Sequence, residues 1–384
     1  MPAHPPADDV IPDAPSQLPR WRRWLLKLGT ALFWIFALLG VFRQVVNDRW
    51  VYTQPISWVP LSALVGLSCL AALACAALQR GRERRSWVFA LALGALFLPY
   101  HWHWHRLLLR PGPGVRVLVW NPGWQKISKF DARVLEQQPQ VFLVATPHYT
   151  ANMLGVRQGM GETTFAAGQG ALNCISVFPV RRWGSTPLNI PPAAEVPSWL
   201  PRGPATKGGG EAMFVVLDIP ALGGDTTLWF LDLPSDPYIP RERMMRQALE
   251  SIRAFRGPVH ERRADGSEAL RTLEVPGFPA PDILAGDLNT PRGTASLGQL
   301  MGPFGLSHAF AQAGIGPEAS FPARVPVVHI DHVLVGPRLR ATRYDIVDME
   351  AGRHRAQAVQ LRANAALPAS ATPAAPPAPP TPSP

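Results

Sequence analysis

The sequence predicts an α/β domain of two packed sheets with helices outside, preceded by a bundle of three transmembrane helices. Three apolar segments fill most of residues 28–100, and beyond them short β-branched runs alternate with few helical stretches. The 384 residues are 47% hydrophobic and only 17% charged, which excludes a largely disordered chain. The 3 cysteines exclude a disulfide-stapled scaffold and a cysteine-rich zinc module.

The apolar segments at 28–42, 61–78 and 86–100 carry no charged residue. Crossing the hydrocarbon core takes about 20 apolar residues. The middle segment meets this length, and the outer two depend on their aromatic flanks. A buried hairpin of core helices is disfavoured because the segments have no polar face. A cleaved signal peptide is disfavoured because the apolar block continues through two more segments.

Basic residues predict the orientation of these helices. Clusters at 20–27 and 80–85 belong on the cytoplasmic side of a bilayer. Three crossings then place everything after Arg106 on the periplasmic or extracellular side of a bacterial inner membrane, as a multi-pass protein. Much of the formal charge of +10 thereby reflects membrane topology rather than nucleic-acid binding. The bilayer is the first partner that the sequence predicts.

The sequence divides into four parts. We predict a cytoplasmic basic N-terminus at 1–27, a membrane anchor at 28–105, a folded domain at 106–364 and a disordered Pro/Ala-rich tail at 365–384. His101, His103 and His105 alternate with two tryptophans where the third helix leaves the bilayer. These histidines could bind a metal ion, or they could lie with the tryptophans at the membrane–water interface as amphipathic rings. The interfacial interpretation is favoured.

Within the folded domain, helical spacing predicts helices at 130–138 and 241–255. Short apolar runs predict strands at 115–120, 141–144, 173–180, 213–219, 227–233, 282–285 and 325–335.

Two polar groups carry chemical interest. Asp287 and Asn289 follow an apolar strand in Gly-Asp-Leu-Asn, and strand alternation would place both on one face. A carboxylate there can orient water and an amide can hold an electrophile's oxygen, although the same residues are common in ordinary turns.

Asp331 would share a strand face with His329 and Val333, and a buried carboxylate needs a partner. His354 is the candidate, because a carboxylate bonded to one ring nitrogen fixes the tautomer and stabilises the imidazolium. The alternative is a surface loop with a solvated histidine.

From 115 to 361 the chain resembles the endonuclease/exonuclease/phosphatase (DNase I-like) superfamily, and the layout resembles a membrane-anchored bacterial subgroup. The motifs occur in the order typical of that superfamily: Val-Trp-Asn121, Ser176-x-Phe178-Pro179, Leu-Pro-Ser-Asp-Pro at 233–237, Gly-Asp-Leu-Asn at 286–289, Ser-Phe-Pro at 320–322, Ile-Asp-His at 330–332 and His354. The resemblance implies a four-layer α/β/β/α sandwich.

The resemblance also implies roles. Asp287 would align the attacking water, and Asn121 and Asn289 would hold the phosphate. Asp331 would orient His354, which would stabilise the phosphoryl oxygens. The resemblance implies Mg²⁺ or Mn²⁺ as cofactor and a phosphoester substrate or another anionic ligand.

Four positions depart from the superfamily pattern. Thr146 stands at the usual metal-binding glutamate, so the metal ligands are left unassigned. Gly123 replaces an acidic residue, Arg353 replaces the aspartate of Ser-Asp-His, and Asp232 replaces a histidine. We assign Arg353 and Asp232 to substrate binding.

Three interpretations remain open: an active metal-dependent hydrolase, an inactive member serving as an envelope binding or scaffold module, and a metal-poor hydrolase in which Arg353 supplies positive charge. Envelope phosphoesters are favoured over nucleic acid, because the domain has no Lys/Arg stripe interleaved with aromatic residues. The oligomeric state is open.

Overall fold

The computed structural model describes residues 19–108, 112–146, 150–161, 163–193, 208–263 and 265–364. The predicted tail at 365–384 and most of the predicted N-terminal segment lie outside these residues. The chain forms two compact units, Met1–Val41 with Leu61–Leu98, and Phe42–Pro60 with Pro99–Pro384. The segment that joins the first two long helices therefore belongs to the second unit.

The N-terminal region contains α1 (Arg20–Val45), the short α2 (Gln54–Ser57), α3 (Leu61–Leu78) and α4 (Gly81–His101). Among the described residues, α1 and α3 are the helices long and apolar enough to cross a membrane. The prediction of three spanning helices is thus supported for two. Helix α4 forms where predicted, but it opens with Gly-Arg-Glu-Arg-Arg, which shortens its apolar part.

The second unit is built on fourteen strands among the described residues. They are β1 (Val115–Trp120), β2 (Val141–Ala145), β3 (Phe165–Gln169), β4 (Leu172–Ser176), β5 (Val180–Ile190), β6 (Gly209–Ile219), β7 (Gly224–Asp232), β8 (Val259–Arg262), β9 (Glu268–Arg271), β10 (Ile283–Asp287), β11 (Ser307–His308), β12 (Asp331–Val335), β13 (Leu339–Val347) and β14 (Ala356–Ala363).

Five α-helices accompany these strands in the described residues. They are α5 (Phe130–Glu136), α6 (Thr150–Met160), α7 (Arg241–Ala254), α8 (Gly298–Met301) and α9 (Ala309–Ala313). Three short 3₁₀ helices cover Trp104–Leu108, Pro220–Leu222 and Gly302–Phe304.

The strands form two sheets. One has six strands in the order β13-β14-β1-β2-β4-β3, and the other has eight in the order β11-β12-β10-β7-β6-β5-β8-β9. Most neighbours are antiparallel, whereas β1 with β2 and β7 with β10 are parallel. Parallel neighbours bring the carboxyl ends of both strands to one edge, which is where polar side chains collect in this domain.

Four layers follow from alternation of side chains along the strands. Inward-facing residues such as Val117 and Phe230 fill the core between the sheets. The outer face of the six-stranded sheet packs on α5 and α6 through residues such as Phe130. The outer face of the eight-stranded sheet packs on α7 and α8, where Met245 and Ile252 are buried. The predicted α/β/β/α sandwich is confirmed.

Two predicted strands are wrong in their limits. The run 173–180 is divided, because β4 ends at Ser176 and Phe178-Pro179 carries the chain to β5 in the other sheet. Proline has no N–H with which to continue a ladder. The run 325–335 becomes a strand only from Asp331 onward, so His329 does not share a strand face with Asp331.

Candidate active site

Three aspartates lie side by side at one edge of the eight-stranded sheet. Asp232 and Asp331 flank Asp287 in direct register, on β7 and β12 respectively. Neighbouring strands are about 5 Å apart. Asp232 and Asp287 end parallel strands and Asp331 begins an antiparallel one, so all three reach the same edge. The fold therefore concentrates acidic groups at this point.

The Asp287 carboxylate is held by two donors. The Asn121 side-chain amide donates to Oδ2 over 3.0 Å, and the backbone N–H of Asn289 donates to Oδ1 over 3.0 Å. Burial raises the pKa of Asp287 to about 7, and the neighbouring Asp331 adds to the rise. Burial and the Asp287 charge also raise the pKa of Asp232 well above its ordinary value. Neighbouring positive charge therefore does not offset the burial of Asp232 and Asp287, and both carboxylates bind a proton more readily than usual.

His354 lies two positions before β14 of the six-stranded sheet and contacts two of the three aspartates. Its Nδ1 lies 3.0 Å from Asp331 Oδ2, and its Nε2 lies 3.7 Å from Asp287 Oδ2. Burial alone would lower the pKa of His354, but the Asp331 and Asp287 carboxylates outweigh it and raise the pKa to about 9. His354 is therefore a buried imidazolium at neutral pH, and the predicted contact with Asp331 is present.

Two residues shape the end of β10 and the turn that follows it. Gly286 has φ +135°, and a Cβ there would lie 1.9 Å from the Leu231 carbonyl oxygen, so only glycine lets β10 pass β7 this closely. Asn289 has φ +45°, and its side-chain amide donates to the Leu233 carbonyl over 2.7 Å. The prediction that strand alternation aligns Asp287 with Asn289 is wrong, because the strand ends at Asp287 and a turn brings them together.

The substituted positions contact one another or other site residues. Thr146 is buried, and its hydroxyl donates to Asn121 Oδ1 over 2.7 Å, so it orients that amide. Gly123 has φ +71°, and a Cβ at this position would lie 2.7 Å from Cδ of Arg353. Arg353 therefore occupies the space that a side chain at position 123 would need.

These residues line a cavity of about 730 Å³. Six of the predicted site residues line it: Asn121, Asp232, Asp287, Asn289, Arg353 and His354. Asp331 does not, because it lies behind His354. Gln54, Pro55 and Trp58 also line it, and sequence reasoning missed them because they lie in a segment interpreted only as a connection between two helices. The Ser-Phe-Pro motif contains Ser320, but its role was not predicted. The Ser320 hydroxyl donates to Asp331 Oδ2 over 2.6 Å.

One group of three side chains in the described residues brings potential metal ligands together, although His354 could ligate a metal only when it is unprotonated. Potential ligand atoms of Asp287, Asp331 and His354 all lie within 4.8 Å of one another. His101, His103 and His105 do not form such a group within the part of the chain that the structure describes.

Comparisons with known proteins give structural similarity without close sequence similarity. No family model matches the chain, and no curated protein matches it either. Among solved structures, an endonuclease/exonuclease/phosphatase from Beutenbergia cavernae is 17% identical, with a TM-score of 0.44 over 66% of this chain and 72% of that chain.

Two further similar structures carry more specific names. A mannosyl-6-phosphatase from Bacteroides thetaiotaomicron is 13% identical, with a TM-score of 0.44 over 65% of this chain and 99% of its own. The human Nocturnin catalytic domain with bound sulfate is 13% identical, with a TM-score of 0.41 over 66% of this chain and 97% of its own. The structural neighbours include proteins of the superfamily that the sequence motifs indicate.

Proposed function

We propose that the chain is a membrane-anchored phosphoester hydrolase that acts outside the cytoplasm of a bacterium. The observation that carries the proposal is the buried His354 ring, which lies 3.0 Å from Asp331 and 3.7 Å from Asp287 and lines the same cavity as Asp287. A fixed cation beside a carboxylate of raised pKa suits an anionic ester that is attacked by water.

In the proposed reaction, water attacks phosphorus in line with the leaving oxygen. A P–O bond to water forms while the P–O bond to the leaving group breaks, and Asp287 takes the proton from water. His354 and the Asn289 amide stabilise the charge on the phosphoryl oxygens. Asp331 and Ser320 keep the imidazolium in place, and Arg353 contributes to binding of the anion.

The acidic pair fits a divalent cation. Asp232 and Asp287 are neighbours in register, and the raised pKa of each indicates how strongly a positive charge would be favoured there. Oxygen donors suit Mg²⁺ and Mn²⁺. We propose that Asp232 and Asp287 hold the ion and thereby replace the carboxylate missing at Thr146. When bound, such an ion supplies Lewis acidity to a phosphoryl oxygen.

The anchor proposal is supported by the segment 46–60. This segment hydrogen-bonds to the folded domain, for example from the Asn47 side-chain amide to the Gly293 carbonyl over 2.8 Å. It therefore lies on the same side of a membrane as the domain. If α3 crosses the bilayer, α4 must cross back for the chain to return to that side. Three crossings are therefore favoured, and the basic clusters favour a domain outside the cytoplasm.

The competing function is an inactive envelope binding or scaffold module, and the threonine at position 146 favours it. A hydrolysis assay on full-length protein in detergent distinguishes the two functions. The substrates are bis-p-nitrophenyl phosphate and p-nitrophenyl phosphate, each with Mn²⁺, Mg²⁺ or EDTA. We expect metal-dependent turnover that falls at least about 100-fold in His354→Ala and Asp287→Ala. The exposed His105→Ala is the matched control.

Other outcomes decide against the proposal. No turnover and no Mn²⁺ binding by calorimetry would identify a binding module. Turnover that resists EDTA and disappears in Arg353→Ala would show that the guanidinium replaces the metal.

A further inference from the structure

The segment 46–60, which we call the interhelical strap, is fixed to the folded domain by buried polar side chains. Asn47 donates to the Gly293 carbonyl and accepts from the Ala295 N–H over 3.2 Å. The Asp48 carboxylate accepts from the Ser296 N–H over 3.2 Å and from the Ser296 hydroxyl. Both strap side chains are buried, so these contacts hold the strap against the loop that follows β10.

Gln54 makes a second attachment, at the start of α7. Its amide nitrogen donates to the Pro237 carbonyl over 2.7 Å, and its amide oxygen accepts from the Arg241 N–H over 3.1 Å. Only 1% of Gln54 is exposed. The Arg241 guanidinium lies 5.7 Å from the centre of the Trp58 ring, a cation–π distance. Together these contacts fix the strap in one position.

The fixed strap forms a wall of the catalytic cavity. Gln54, Pro55 and Trp58 line the same cavity as Asp287 and His354. An indole and a proline ring thus stand beside groups suited to a phosphate. This combination fits a substrate in which an apolar part adjoins the phosphoester, because each part meets a surface of its own kind.

Chain length places this wall close to the bilayer. Trp58 is three positions before Leu61, the first residue of the apolar α3. Three residues span at most about 10 Å. The headgroup region is about 5–8 Å deep on each side of the hydrocarbon core. If α3 spans the bilayer, Trp58 lies no more than about 10 Å from the first residue of the spanning segment, within reach of the headgroup region.

Exposed aromatic residues support the same placement. Trp50 and Tyr52 of the strap are 51% and 75% exposed, and their rings stack at 6.2 Å. Trp124, which lines the cavity, is 59% exposed. Tryptophan and tyrosine are enriched at membrane–water interfaces, where the ring is apolar and its polar atom is hydrated.

We infer that the enzyme acts on phosphoesters of amphiphiles whose apolar part stays in the bilayer, and that Trp58 of the strap determines this specificity. The inference rests on the proposed function and names its substrate class. Phosphoesters without an apolar anchor reach the same catalytic groups, but they gain nothing from the strap wall or from confinement to the membrane surface.

Two substrates with the same scissile bond test the inference. Full-length protein in phosphatidylcholine vesicles is assayed with hexadecyl 4-nitrophenyl phosphate in the bilayer and with methyl 4-nitrophenyl phosphate in solution. We expect the anchored ester to be hydrolysed at least about tenfold faster at equal bulk concentration, because the membrane confines it near the cavity. Trp58→Ala should lower hydrolysis of the anchored ester about tenfold and that of the methyl ester less than about twofold. Trp58→Phe should retain most of the preference.

Leu270→Ala is the control, because it removes an exposed apolar side chain of β9 that does not line the cavity. It should change neither rate. Equal hydrolysis of the two esters by the wild type, or equal loss of both in Trp58→Ala, would overturn the inference and leave the proposed function standing. Hydrolysis of neither ester would overturn the proposed function, and the inference would fall with it.

Discussion

His354 Nδ1 lies 3.0 Å from Asp331 Oδ2, and the Ser320 hydroxyl donates to that same carboxylate oxygen over 2.6 Å. Asp331 does not line the cavity, so its effect on a substrate passes through the imidazolium. Asp331 is therefore a positioning residue, and His354 is the group that meets the anion.

Asp331→Asn should move the pH dependence of catalysis. Without the carboxylate, the pKa of His354 falls from about 9 and the imidazolium is lost at a lower pH. Because the proposed active form is protonated, the alkaline limb of the kcat/KM profile should shift to lower pH, and activity at pH 8 should fall about 100-fold. Asp345→Asn, a carboxylate paired with Arg343 on β13, is the control. An alkaline limb unchanged in Asp331→Asn would show that His354 does not need this partner.

Asp232→Asn should weaken metal binding. If Asp232 and Asp287 share the ion, removal of one carboxylate should raise the Kd for Mn²⁺ at least about tenfold, measured by calorimetry on the full-length protein. Asp225→Asn changes an exposed carboxylate at the other end of β7 and should leave the Kd unchanged. Equal affinity in wild type and Asp232→Asn would remove Asp232 from the metal site.

A buried cluster of histidines should make the fold sensitive to acid. His308, His329 and His332 are packed together, and the His329 and His332 rings stack at 4.9 Å. Burial lowers the pKa of all three, that of His332 to about 4. Below about pH 6.5 these histidines bind protons in the unfolded chain but not in the folded chain. The free energy of unfolding is therefore highest above that pH and decreases as the pH falls below it. For His332 the difference amounts to about 3 kcal/mol near pH 4.

His329→Phe tests this cluster directly. Neither ring nitrogen of His329 has a hydrogen-bond partner among the residues that the structure describes, so a phenyl ring keeps the stacking and removes two unsatisfied polar atoms. The midpoint of acid unfolding, followed by tryptophan fluorescence, should move to lower pH. The exposed His105→Phe should leave the midpoint in place. An unaltered midpoint in His329→Phe would mean that other groups govern acid unfolding.

Labelling with a membrane-impermeant maleimide should report the topology. Tyr52→Cys places a thiol in the strap and Arg82→Cys places one at the start of α4, and both positions are exposed. In intact spheroplasts we expect the strap variant to react and the α4 variant to be protected, whereas lysis should expose both thiols. Protection of the strap variant together with labelling of the α4 variant would reverse the proposed orientation. Wild-type protein is labelled in parallel, because its three native cysteines set the background reaction.

Local patterns predicted much of the fold. The limits of β1 and the start of α7 follow from β-branched runs and helical spacing within one segment. The Gly-Asp-Leu-Asn motif marked Asp287 for the same reason, because an apolar strand ending in polar turn residues is visible in a few positions. The predictions failed where the chain changes sheets at Phe178-Pro179, since a strand that leaves one sheet and enters another keeps its apolar character throughout.

The sequence by itself determined which segments are apolar, where seven strand-forming runs lie and that Asn121, Asp287, Asn289, Asp331 and His354 are the polar groups of interest. It did not predict β3, β8, β9, β11, β13 or β14. Only the tertiary structure decided that Asp232, Asp287 and Asp331 stand in register, that Thr146 orients Asn121 and that Trp58 of the strap lines the cavity. The physical reason is distance along the chain. Periodicity indicates which face of one element avoids water. Register, desolvation and charge coupling depend on elements as many as 248 residues apart, and these meet only when the whole domain packs.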